Sequence, residues 1–170
     1  MKTILFMAIS ADGYIATSDH KTPWSDEDWN NFKNIVRKTR NIIIGRKTYE
    51  IMNKHNGFSD LNNPKVLVVS SNPDLKKSNS QHIICQSPIQ ALQYLKKNKF
   101  DIALLSGGGK LNASFIKENL IAEMYLDVEP FVFGKGIKLF EDNKLKIKLK
   151  LLGTKKYSLN GIQLHYQVLK

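Results

Sequence analysis

The stretch that most constrains how this chain can fold is Asp101 to Lys117, DIALLSGGGKLNASFIK. Ile102, Ala103, Leu104 and Leu105 form an unbroken apolar run, the mark of a strand buried on both faces. Gly107, Gly108 and Gly109 follow, and glycine reaches backbone conformations closed to other residues. Leu111, Phe115 and Ile116 then recur at helical spacing. Strand, glycine turn and helix in that order aim the free N–H groups of the helix's first turn at the glycines, where an anion is stabilised. A glycine triplet also serves as a plain tight turn, so its meaning depends on what else the chain brings to it.

Similar units precede it. Ile4 to Ser10 reads as a buried strand, ended by the turn signal Ala11-Asp12-Gly13. Asn41 to Ile44 is another, after which Gly45, Arg46, Lys47 and Thr48 open a helix with two cations and a hydroxyl, a second anion site. Val66 to Val69 ends at Ser70 and Ser71, hydroxyls placed where open α/β sheets bind ligands and where turns also use them. Ile83 and Ile84 mark a short strand, and Ser87-Pro88 starts a helix through Leu95. Glu123 to Phe133 reads as extended, Leu145 to Leu152 alternates Lys with Leu or Ile, and Asn160-Gly161 turns the chain into Ile162 to Val168. Strands alternating with helices early and a hairpin late predict one domain over residues 1–170, with a mostly parallel sheet, antiparallel strands at its end and helices on both faces.

Between the first two strands lies a loop from Thr17 through His20 to Pro23 and Trp24, which either lays an aromatic ring over a cleft or packs it into the core. Ser25 opens a helix with Asp28 three residues on, a capping-box spacing with Asp in place of Glu. Trp29, Phe32 and Val36 form its apolar stripe, and Asp28 stands one turn before Phe32. That pairing can hold a flat heterocycle by stacking and hydrogen bonding; the other reading is that Asp28 merely caps the helix.

The net charge of +11 raises the question of nucleic acid, but only three of the 26 basic residues are arginines and the lysines are not interleaved with aromatics. No nucleic-acid or membrane partner is expected: no apolar run reaches the roughly 18 residues of a membrane span, and the N-terminal apolar run reads as a strand of a cytoplasmic protein. The four histidines share no metal-ligand spacing, so no metal is expected, and Cys85 reads as a core residue.

With these segments in view, the chain resembles the dihydrofolate reductase superfamily, and within it the reductase domain of riboflavin biosynthesis and its stand-alone relatives. The resemblance rests on ILFMAISADGYIA, TPWSDEDWNNFK, IIIGRKTYE, VLVVSS, SGGGKLNASFI and IAEMYLDVEPFVFGKGIKLF, and covers nearly the whole length. It implies a dihydrofolate reductase-like three-layer α/β/α fold and an NADPH-dependent reductase that transfers hydride to a small heterocyclic or ribosylamino-pyrimidine substrate, in the manner of a 5-amino-6-(5-phosphoribosylamino)uracil reductase. Dihydrofolate reduction proper and a non-catalytic nucleotide-binding module are the alternatives. By the resemblance, Arg46, Lys47, Ser70 and Ser71 hold the adenosine 2′-phosphate, Thr48 with the backbone of Gly108 and Gly109 cradles the pyrophosphate, and Gly45, Gly107, Lys110 and Leu111 are further cofactor-binding positions. Ala8 and Ile15 lie against the nicotinamide; Trp24, Phe32 and Met52 contact substrate, and Asp28 is the catalytic or anchoring acid. The Gly107–Gly108 peptide is expected to be cis. Leu61 to Pro64 lack the arginine that grips a folate tail, which favours a tailless substrate. Relatives of this type commonly pair, so a homodimer is expected, through Tyr125 to Phe133 or the C-terminal strands.

Overall fold

The computed structural model describes residues 1–72, 75, 81–141 and 144–169. Its elements are β1 (Lys2–Ser10), β2 (Tyr14–Thr17), α1 (Asp26–Thr39), β3 (Asn41–Gly45), α2 (Arg46–Lys54), β4 (Lys65–Val69), β5 (Ile83–Cys85), α3 (Pro88–Lys97), β6 (Ile102–Leu105), α4 (Gly109–Lys117), β7 (Glu123–Glu129), β8 (Gly136–Lys138), β9 (Leu149–Lys156) and β10 (Ile162–Val168). Eight strands form one sheet in the order β5-β4-β3-β6-β1-β7-β10-β9. Neighbours are parallel from β5 through β7, and β10 and β9 close the sheet antiparallel.

The apolar runs are unbroken because alternate residues serve opposite faces. Leu5, Ile43, Leu67 and Leu105 pack with Ala91, Leu95, Leu111 and Phe115 of α3 and α4. Ile4, Ile42, Ile44, Val66 and Leu104 pack with Phe32, Val36 and Tyr49 of α1 and α2. The result is the expected three-layer α/β/α fold, a mostly parallel sheet with antiparallel C-terminal strands.

Two strands depart furthest from the sequence reading. β7 ends at Glu129, not Phe133: Pro130 has no N–H for the ladder, and Phe131 N–H turns back onto the Glu129 carbonyl at 2.8 Å. The last hairpin starts at Leu149, not Leu145, because its register is set by pairing with β10, Leu149 opposite Val168 and Lys156 opposite Ile162. Tyr166 faces Leu151 and His165 faces Gly153, so Leu152 is an extra, bulged residue. The bulge and the edge position leave Leu151 53% and Leu152 44% exposed, so this is not the half-buried strand that the alternation predicts.

A two-stranded ribbon of β2 and β8 stands apart from the main sheet. A Cβ on Gly136 would lie 2.3 Å from the Ala16 carbonyl oxygen, which is why this glycine stands where the ribbon pairs.

Candidate functional site

After β3 the chain moves outward to β4 and β5, then returns to insert β6 between β3 and β1. At this reversal α2 leaves the end of β3 toward one face of the sheet and α4 leaves the end of β6 toward the other, which opens a crevice at the carboxyl ends of the strands. The two helix starts abut: Gly45 N–H donates to the Gly107 carbonyl at 2.8 Å, and a Cβ on Gly108 would meet Thr48 Oγ1 at 3.5 Å. The N-caps are Gly45 and Gly108, and neither offers a side-chain cap to the free N–H groups of its first turn. Two positive dipole ends therefore face one cleft of about 700 Å³.

The cleft gathers most of the predicted cofactor positions. Gly45, Arg46, Lys47 and Thr48 line it from α2, Ser70 and Ser71 from the end of β4, and Gly108, Gly109, Lys110 and Leu111 from α4. Ala8, Ile15 and Gly107 are not in its wall. Ala8 and Ile15 are buried in β1 and β2. Gly107 turns the chain with φ of +85° before the Gly107–Gly108 peptide, which is cis. Gly109 has a second task, since a Cβ there would stand 2.3 Å from the Lys138 carbonyl oxygen. Its own carbonyl accepts from Glu141 N–H at 3.1 Å, and Asn112 Nδ2 donates to the Leu139 carbonyl at 3.0 Å, so residues 138–141 lie directly on α4.

The arrangement also holds residues that the sequence reading did not select. His20, with φ of +65°, enters the cleft from the β2–α1 loop, its Nε2 2.6 Å from Lys47 Nζ. Glu141 is the acidic residue of the wall, and Arg46 Nη1 is 2.8 Å from Glu50 Oε1 one turn along its own helix. Only the left-handed tolerance of His in a loop could have marked His20 from sequence.

Trp24, Asp28, Phe32 and Met52 do not line this cleft. Trp24 stacks on Phe133 and packs against Phe131, with ring centroids 5.6 and 6.1 Å apart, both from the segment after β7. Phe32 is core, against Phe6 and Trp29, and Met52 packs at the edge of the same cluster.

Asp28 belongs to a different group. Ser25 is the N-cap of α1, its Oγ accepting from Asp28 N–H at 3.2 Å. The reciprocal capping-box bond comes instead from Glu129, whose Oε2 accepts from Ser25 N–H at 3.1 Å while Oε1 accepts from Ser25 Oγ at 2.8 Å and from the Tyr157 hydroxyl. The Asp28 carboxyl is thus free of capping. It is 6% exposed, its Oδ1 has no protein partner among the described residues, and it stands one turn before Asn31, whose Nδ2 donates to Asp127 of β7 at 3.0 Å. Burial, then the charges of Asp127 and Glu129, push it up to about 8. Burial likewise raises Asp127 and, together with Glu129, the Tyr157 phenol. Asp127 and Glu129 were invisible as site residues because within β7 they look like the polar half of an ordinary alternation.

Because β7 runs parallel to β1, its carboxyl end lies at the same sheet edge as Gly45, Ser70 and Gly107. That edge presents a basic cleft over β4, β3 and β6, an acidic group over β7, and the end of β1 between them.

The fold is that of the dihydrofolate reductase-like proteins. The chain belongs to the RibD C-terminal domain family, whose model matches residues 1–164. It is 31% identical to the Bacillus subtilis (strain 168) protein YwjB over 169 residues, 97% of each chain. Its fold is similar to a Thermotoga maritima diaminohydroxyphosphoribosylaminopyrimidine deaminase/5-amino-6-(5-phosphoribosylamino)uracil reductase, with TM-score 0.75 and 16% identity, over 99% of this chain and 56% of that one. It is similar also to an Enterococcus faecalis dihydrofolate reductase complexed with NADP(H), with TM-score 0.74 and 22% identity, over 99% of this chain and 97% of that one.

Proposed function

We propose that this chain is an NADPH-dependent reductase that adds hydride to a C=N or C=O bond of a small heterocyclic or ribosylamino-pyrimidine substrate. The observation that carries this reading is the convergence of two uncapped helix N-termini with Arg46, Lys47, Lys110, Thr48 and Ser70 in one cleft. A dinucleotide fits that donor set: the paired N–H groups suit a pyrophosphate, and the cations at the start of α2 beside the β4 hydroxyls suit a 2′-phosphate. Bound NADPH would supply the hydride. The chain's own part is to hold both partners and to supply or relay a proton from the acidic side, where Asp28 sits. Membership in the RibD C-terminal domain family and the activities of the two solved neighbours support the same reading.

Loss of NADPH absorbance with a panel of pyrimidines, pterins and dihydrofolate tests it. Turnover on a tailless substrate is expected, because Leu61 to Pro64 contain no cation for a folate tail. Tight NADPH binding without turnover across the panel would favour a non-catalytic module.

We further propose a cytoplasmic homodimer. Among the described residues no helix is long and apolar enough to cross a membrane. Of the two expected interfaces, β7 is interior to the sheet between β1 and β10, whereas Leu151, Leu152 and Ile162 of the terminal hairpin are exposed, which favours the hairpin. Light scattering should give twice the chain's 19.4 kDa; a monomeric mass at high micromolar concentration would reject the pairing.

A further inference from the structure

Asp28 does not act alone on the acidic side of the sheet edge. Asp127, wholly buried, accepts from Asn31 Nδ2 of α1 at its Oδ2, 3.0 Å away, and from Gln163 Nε2 of β10 at its Oδ1, 2.7 Å away. Asp28 stands one turn before Asn31 on the same side of α1, so its buried carboxyl lies beside that of Asp127, and two carboxyls brought together in a buried site meet without repulsion only if one of them is protonated and donates to the other. The amide donors decide which. Both oxygens of Asp127 receive an N–H, which favours its ionised form, while Asp28 receives none and its Oδ1 has no protein partner among the described residues. The other groups facing the pair are Glu129 of β7 and Tyr157 beyond β9, and the charges that bear on Asp28, those of Asp127 and Glu129, are both negative.

We propose that Asp28 and Asp127 share one proton at neutral pH, that Asp28 holds it, and that Asp127 is the positioning residue that keeps Asp28 a neutral acid instead of an anionic anchor. The role of that proton in the reaction rests on the reductase reading above. There the substrate carbon gains a hydride from the reduced nicotinamide, which is oxidised, and the substrate nitrogen or oxygen gains the proton from Asp28. Asp28 is left as carboxylate and takes a proton back from solvent. The same group of acids repels anions, so the part of the substrate beside it is an uncharged heterocycle edge; any phosphate lies elsewhere.

The test begins without cofactor or substrate, by following aspartate carboxyl carbons through a pH titration by NMR in the isotope-labelled wild-type chain. One aspartate should titrate far above the usual range, near pH 8. Asp127→Asn should lower that transition by more than about one pH unit, because the neighbouring charge is gone and the new amide can donate. Asp28→Asn should abolish it, which assigns the signal. If all aspartates of the wild-type chain titrate at or below about pH 5, the shared proton is refuted, and this result needs no variant to fold. If a high transition persists in Asp28→Asn, it belongs to another residue and the assignment fails. In a turnover assay, kcat/KM should fall as pH rises through the same transition, and Asp127→Asn should move that fall to lower pH by the shift seen by NMR. A high transition in a chain that reduces nothing would uphold the shared proton and sink the reductase reading. Ordinary titration in an active enzyme would do the reverse.

Discussion

Replacing Asp28 by Asn should remove a pH dependence of stability that only a protonated, buried acid produces. In the unfolded chain an aspartate ionises near pH 4, whereas in the folded chain Asp28 holds its proton to about pH 8. Between those values the folded state binds more protons than the unfolded one, so stability falls as pH rises; below the window the contribution is complete, and above it the loss levels off. The slope is about 1.4 kcal/mol per pH unit, so between pH 5 and 7.5 this one group removes roughly 3 kcal/mol. At a urea slope of about 2 kcal/mol per molar, the wild-type midpoint should drop by about 1.5 M relative to Asp28→Asn across that interval. Asn is isosteric with the protonated acid, donates to Asp127 as the acid does, and cannot ionise. Glu123, lowered in the fold despite its burial by bonds from Lys2 and His165, adds stability that is complete above the carboxylate range and is lost only as pH falls through it, outside this interval. His82, pushed down by burial and then by Lys65, adds stability as pH rises through the histidine range, equally in both chains, so their difference isolates Asp28. Parallel urea midpoints for the two chains from pH 5 to 7.5 would refute the reasoning.

Lys47→Ala should raise the Kd for NADPH about 10- to 100-fold and leave NADH nearly unchanged by calorimetry, since a charge-assisted hydrogen bond to the 2′-phosphate contributes about 1.5–3 kcal/mol; equal losses for both cofactors would move Lys47 away from that phosphate. Ser25→Ala removes the α1 cap and both Ser25 Oγ bonds, and should lower stability by about 1–2 kcal/mol in urea unfolding. Gly108→Ala and Gly109→Ala should separate binding from folding. A methyl at Gly108 meets only Thr48 Oγ1 at 3.5 Å and should weaken NADPH binding with little change in stability. A methyl at Gly109 meets the Lys138 carbonyl at 2.3 Å and should destabilise the chain by about 1–3 kcal/mol.

What could be read from the sequence was what short stretches decide by themselves. Strands β3, β4 and β6 announce themselves because a strand covered on both faces needs apolar residues throughout, and the anion cleft because Gly45-Arg46-Lys47-Thr48 and Gly107-Gly108-Gly109 each carry their chemistry within one turn of a helix start. The β9 start was not legible: alternation shows that a surface suits half-burial, but pairing with β10 and the bulge at Leu152 determine which residues are in the strand. The acidic group was not legible either, because Ser25 meets Glu129 across 104 positions, Asn31 meets Asp127 across 96 and Gln163 meets Asp127 across 36. The spacing of Ser25 and Asp28 looked like a capping box, yet a distant glutamate took the place that the local acid was expected to fill.

The order of strands turns these two local chemistries into one direction along the sheet edge. Two helix dipoles and the cations of α2 and α4 make the β4-β3-β6 side attractive to polyanions; the charges of Asp127 and Glu129 make the β7 side repulsive to them. β1 separates the two by one strand on each side, so β6 and β7 are only about 10 Å apart at a strand spacing of roughly 4.8 Å. A long ligand with a phosphorylated end and an uncharged ring can therefore lie across this edge in one orientation, its phosphates over α2 and α4 and its ring toward Ala8 of β1. A second, uncharged ring would then approach from the acidic side. The opposite orientation brings phosphate against the buried carboxylates of Asp127 and Glu129, which costs several kcal/mol per unpaired charge in a partly desolvated site.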